Sequence, residues 1–117
     1  ICYHNDDYQG VVRAYELFVV LNGEELPEVY HMLSVSHAQL KNYDQAIEAG
    51  ERAIALALTK DKDLYEEFVY ENYFNIGWCY YFKGEYQKAI EHFRRDRRSG
   101  KAQQWIRKTK RRLSQVA

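Results

Sequence analysis

Apolar side chains recur along this chain at steps of three and four, the spacing that gathers them on one face of an α-helix. Over residues 85–96, Tyr86, Ala89, Phe93 and Asp96 share such a face, with Ile90 beside it. The run 28–40 carries Val29, Leu33, Ser36 or His37, and Leu40 at helical spacing, and Pro27 sits where a first-turn proline is tolerated. Over 64–82, Phe68, Tyr73, Ile76, Gly77 and Tyr80 form an inward face. From 101 to 116 the apolar positions are Ala102, Trp105, Ile106, Thr109, Leu113 and Val116, opposite a face of Arg107, Lys108, Lys110 and Arg111. These stripes are too narrow to stand alone in water, so each predicts a helix covered by other helices, and the chain reads as all-α. Lys41-Asn42 and Lys83-Gly84 read as turns between helices, and Asn22-Gly23 as a helix end and loop. The stretch 59–63 reads as a second loop, or alternatively as part of one long helix with the residues before it.

One phrase returns three times: DYQGVVRAYELF (7–18), NYDQAIEAGERA (42–53) and EYQKAIEHFRRD (85–96). Each has a tyrosine second, at Tyr8, Tyr43 and Tyr86, and then a small or apolar pair: Val11-Val12, Ala46-Ile47 and Ala89-Ile90. The tyrosines are 35 and 43 residues apart, and the extra length of the second interval falls between Ala53 and Tyr73. The second and third phrases each follow another helical run, which predicts helix pairs joined by short turns and stacked in series. One domain over 1–117 is expected: a partial repeat at 7–21, a degenerate repeat at 27–58, a full repeat at 64–98 and a capping helix at 101–117. An amphipathic last helix is what a repeat array needs to close its exposed end. Residues 3–6 read as the remnant of a preceding turn, so the chain is expected to begin inside a longer array.

These phrases resemble the tetratricopeptide repeat family, most clearly in YFNIGWCYYFKGEYQKAIEHF (73–93). There the family's positions fall on Tyr73, Gly77, Tyr80, Gly84, Tyr86, Ala89 and Phe93. In the second copy Ser34 takes the small position, His37 the aromatic one, Tyr43 and Ala46 match, Gly50 replaces the large residue and Ala53 matches a later alanine. The first copy matches as a second helix only, through Tyr8. Asp96 stands where the family has a small alanine, which predicts irregular packing or exposure after the third copy. The resemblance implies a right-handed solenoid of antiparallel helix pairs that binds a protein or peptide in a concave groove. It places the groove on Phe74, Trp78, Tyr81 and Phe82 in the third copy, and on His31, Val35, Ala38 and Gln39 in the second. A subgroup that grips a C-terminal carboxylate uses Asn and Lys where this chain has Trp78 and Phe82, so that grip is not implied. The 43-residue interval resembles the lengthened repeats of bacterial peptide-sensing regulators. An adaptor is therefore the leading expectation, with a peptide-sensing regulatory domain as the alternative. The aromatic helix could instead be covered by another helix of the chain, such as the last, or by self-association.

Composition narrows the picture further. Hydrophobic residues make up 46% and charged residues 29%, a globular balance. No apolar run approaches the length that spans a bilayer, and the two cysteines, Cys2 and Cys79, read as free thiols of a reducing, cytoplasmic setting. The net charge of zero hides an asymmetry: residues 1–93 hold 7 Lys/Arg against 16 Asp/Glu, and residues 94–117 hold 10 against one. Arg94, Arg95, Arg98, Arg107, Lys108, Arg111 and Arg112 define a basic surface. It reads as a solvated outer face, as a contact for nucleic acid or an anionic membrane surface in a basic-tailed scaffold, or as a partner for the acidic N-terminal portion. His4, His31, His37 and His92 form no metal-ligand spacing, acid pairs such as Glu24-Glu25 and Glu66-Glu67 read as solvated, and no nucleophile–base pairing or glycine-rich phosphate loop is visible. No cofactor, metal or catalytic activity is expected.

Overall fold

The computed structural model describes residues 7–22, 25–98 and 100–116, and over these the protein is helical, with no strand. The expectations placed on Cys2, residues 3–6, Gly23 and Glu24 lie outside the described residues. The helices are α1 (Tyr8–Asn22), α2 (Pro27–Gln39), α3 (Tyr43–Lys60), α4 (Glu66–Lys83), α5 (Tyr86–Arg95) and α6 (Lys101–Val116). Each packs on the next, and α2 also touches α4 across the helix between them. This sequential packing, with principal extents of 47 × 34 × 20 Å, is that of a helical repeat array. Pro27 occupies the first turn of α2, where its missing N–H costs nothing.

The two tight turns share one geometry. After α4, Gly84 N–H donates to Tyr81 O and Glu85 N–H to Tyr80 O, with Gly84 at φ 82°. After α2, Lys41 N–H donates to Ala38 O and Asn42 N–H to His37 O, with Lys41 at φ 64°. Both are Schellman closures, which satisfy helix-end carbonyls and need a left-handed residue. The extra length of the second tyrosine interval lies in the helices: α3 and α4 have 18 residues each, where α1 and α2 in the first interval have 15 and 13. Helix α3 takes in Thr59 and Lys60 and the chain leaves it at Asp61, so the stretch 59–63 is helix at its start and turn beyond. Asp61 Oδ1 accepts from the Leu64 N–H and shapes the connection.

Small residues set how closely the layers approach. A side chain on Gly77 would meet the Phe93 ring at 2.9 Å and the Ala89 carbonyl at 3.1 Å, so the glycine makes room for Phe93. In the degenerate repeat the same device is displaced. Gly50 lies where a Cβ would meet Ile76 Cγ1 at 3.0 Å and Ser34 Oγ at 3.1 Å, and Ser34 donates to Ala46 O at 2.7 Å. The large residue missing at position 50 is thus replaced by Ile76, reaching in from α4. Ala46, Ala53, Ala57 and Ala89 are fully buried and close the remaining gaps.

Asp96 corrects one expectation. It is buried, not exposed, and its carboxylate accepts two bonds from the Arg98 guanidinium, at 3.0 and 2.9 Å, and one from the Arg98 N–H at 3.0 Å. A buried carboxylate is tolerable only when paired in this way. The pair shapes the turn that delivers the chain into α6.

Candidate functional site

The even-numbered helices carry the candidate groove. A cavity of about 240 Å³ is lined by Val35, Ala38 and Gln39 of α2, Phe74, Asn75 and Trp78 of α4, and Lys101 of α6. A second, of about 280 Å³, continues it past Glu71, Asp96 and Arg98, and the two share Phe74, Asn75 and Lys101. Together they form one channel with α4 as its floor.

Of the residues expected in this groove, Val35, Gln39, Phe74 and Trp78 line it together. Phe74 is only 6% exposed and serves as floor rather than as a projecting contact. Phe82 is 47% exposed and continues the aromatic surface, its ring 4.4 Å from that of Trp78 and stacked on Tyr43 at 6.2 Å. Tyr81 lies elsewhere: it is 7% exposed, with Trp105 of α6 edge-on at 5.2 Å and Tyr86 at 5.5 Å. The last helix therefore covers Tyr81 and the back of Phe74, also through a Phe74–Trp105 contact at 6.3 Å, and leaves the Trp78 end open.

His31 is spent on structure. Its Nδ1 lies 3.1 Å from Asn72 Oδ1, which can only accept, so the imidazole carries its proton there. The Asn72 amide nitrogen in turn donates to Phe68 O at 2.9 Å. Asn72 is wholly buried, and this chain of bonds satisfies it while clipping α2 to α4. The His31 ring rests on Phe68 at 5.2 Å.

Asn75 and Lys101 are groove residues that the sequence reading missed. Asn75 directly follows Phe74, and a polar residue inside an aromatic run was the available signal. Lys101 was read as the start of a cap, but α6 serves also as the third wall of the channel. The Lys101 ammonium sits 4.8 Å above the Phe74 ring, and Lys108 lies 4.6 Å above Trp105 and 5.7 Å above Tyr81. Such contacts hold a cation at an aromatic face without neutralising it.

The basic surface divides. Arg98 is tied to Asp96, and Arg95 lies over Tyr73 at 5.5 Å. Arg94 is exposed, and Arg107, Arg111 and Arg112 stand on the exposed side of α6 with no ion pair among the described residues. The repeat-signature residues are framework. Ala46, Gly77, Ala89 and Phe93 are buried, Gly84 makes the turn, and Tyr8, Tyr43, Tyr80 and Tyr86 are half-buried along the helix contacts.

Ionisation is perturbed mainly away from the channel. Burial pushes the Cys79 thiol from 9.0 up to about 12, so it stays protonated at neutral pH. Bonds to Asp44 and Glu85 raise Lys83, and the Arg52 bond lowers Glu25. Among the described residues no three His, Cys, Asp or Glu side chains converge as a metal site would need, and no helix is long and apolar enough to cross a membrane.

A family model described as Tetratricopeptide repeat matches residues 27–59 and 70–96, which is α2 with most of α3, and most of α4 with α5. A search of the curated proteins returns no match.

Proposed function

This chain belongs to the tetratricopeptide repeat family, whose repeats generally mediate protein–protein interaction, and from that premise we propose that it holds an extended segment of a partner protein in the channel between α2, α4 and α6. One observation carries the reading: the open end of the channel joins an aromatic surface, Trp78 and Phe82, to the polar termini of Gln39, Asn75 and Lys101. An extended peptide has unpaired backbone N–H and C=O groups, and amide side chains such as Gln39 and Asn75 offer both a donor and an acceptor. Trp78 and Phe82 supply the apolar anchor that dominates most such interfaces. The floor is held rigid by packing underneath and by the His31–Asn72 clip, so little ordering cost remains for binding.

The test is a peptide selected from a displayed library on the wild-type protein and titrated against variants. Trp78→Ala should weaken binding by roughly thirty-fold, the scale of a hot-spot residue. Gln39→Ala and Asn75→Ala should weaken it less, without loss of helicity. Undiminished binding by all three folded variants would exclude the channel.

A further inference from the structure

A second surface lies among the first three helices. A cleft of about 660 Å³ opens between α1, α2 and α3 and is lined by Glu16, Tyr30, Leu33, His37, Glu48 and Glu51 among others. The cation in its lining, Arg52, is already bonded to Glu25. Glu16, Glu48 and Glu51 have no ion pair among the described residues, so the cleft presents three uncompensated carboxylates around an apolar floor. His37 adds a second feature. Its Nδ1 is sealed from solvent yet has no hydrogen-bond partner among the described residues, an unmet polar atom at the edge of this cleft.

The complementary charge is in the same chain. Arg107, Lys110, Arg111 and Arg112 are exposed on α6 and make no ion pair among the described residues, and α6 contains no acidic residue at all. The residues before 94 carry a net −9 and those from 94 onward a net +9. Cleft and helix stand at opposite ends of the helix order, α1–α3 against α6, and α6 packs chiefly on α5. One copy therefore leaves both charged patches unpaired, whereas a second copy can pair one of each.

We propose that the exposed basic face of α6 in one copy docks into the acidic α1–α3 cleft of a second copy. The contact uses a different patch on each partner, so it is head-to-tail, and each added copy leaves a free cleft and a free α6 for the next. Its strength comes from complementary charge, which aligns partners and is screened by salt over about 10 Å at 0.1 M. It leaves the α2–α4–α6 channel to a separate ligand.

Sedimentation velocity over a concentration series tests this. At about 0.05 M salt the mean mass should rise with concentration, and at about 0.5 M it should fall to the monomer, since screening shortens to a few ångströms. Two variants sharpen the test. One carries Arg107→Glu with Arg111→Glu, giving a copy whose exposed α6 face has no net charge beside an unchanged acidic cleft. The other carries Glu48→Lys with Glu51→Lys, giving a copy with a reversed cleft and an unchanged basic α6. All four positions are exposed, so both variants should keep the wild-type circular dichroism. Each alone should be monomeric at low salt, and an equimolar mixture should recover association, because each now supplies the patch the other lacks. A wild-type monomer at every concentration and salt would overturn the proposal. So would a mixture that stays monomeric. Association that survives high salt and both charge reversals, but is lost with Leu17→Glu and Leu21→Glu on the exposed apolar side of α1, would overturn it in favour of an apolar contact.

Discussion

Single residues carry more of this architecture than their chemistry advertises. Lys41 and Gly84 close equivalent turns, but only Gly84 is free of the Cβ penalty for positive φ. Lys41→Gly should therefore stabilise the protein by about 1 kcal/mol, read as a raised denaturation midpoint at unchanged m-value. A lowered midpoint would show that the lysine side chain contributes more than the turn costs. The equivalence of the two turns was legible in the sequence, since both stand between a helical run and a repeated phrase. The burial of Asp96 was not, because its partner Arg98 belonged to what read as a uniformly basic stretch. Nor was the clip between His31 and Asn72, which are 41 positions apart and meet only once α2 lies on α4. Cys79 gives a second prediction at this scale. Its folded thiol titrates near 12 against 9.0 for an unfolded one, so the stability it contributes is full below pH 9 and drains as pH rises toward 12. Denaturant midpoints measured from pH 8 to 11 should fall, and less steeply in Cys79→Ala. Parallel declines in the two proteins would remove Cys79 as a cause.

At the scale of the element, apolar spacing identified α2, α4, α5 and α6, and the repeated phrase added α1 and α3. Neither said what α6 covers. An amphipathic last helix reads equally well as a lid on the groove or as a wall beside it, and the choice depends on where Trp105 lands. Trp105 touches Phe74, Tyr81 and Phe93, so α6 is anchored to α4 and α5 through one indole. Trp105→Ala should cost about 2 kcal/mol, less than a fully buried tryptophan because the ring is only half-buried. Amide hydrogen exchange should then accelerate across α6 while α2 and α3 stay protected. Uniform acceleration along the whole chain would show that α6 is not a separable closing element.

Across the whole molecule, the two faces of the array differ in kind. The channel between α2, α4 and α6 is aromatic with a few amides and a lysine, suited to gripping a chain segment. The cleft among α1, α2 and α3 is acidic and matches the basic surface at the other end of the array. The family was legible from the glycine, alanine and aromatic positions of residues 73–93, since those residues solve a packing problem that recurs in every repeat. The site was legible only in part, because groove positions are free of packing constraint and vary with what is held. That is why Trp78 was anticipated while Lys101, contributed by a helix outside the repeats, was not. The most direct measurement is the nuclear magnetic resonance footprint of a selected peptide on the isotopically labelled chain. The perturbed amides and side chains should centre on Gln39, Asn75, Trp78 and Lys101, and Trp78→Ala should abolish the pattern without unfolding the protein. A footprint centred on α1, α3 or α5, with the α2–α4–α6 channel silent, would contradict this placement.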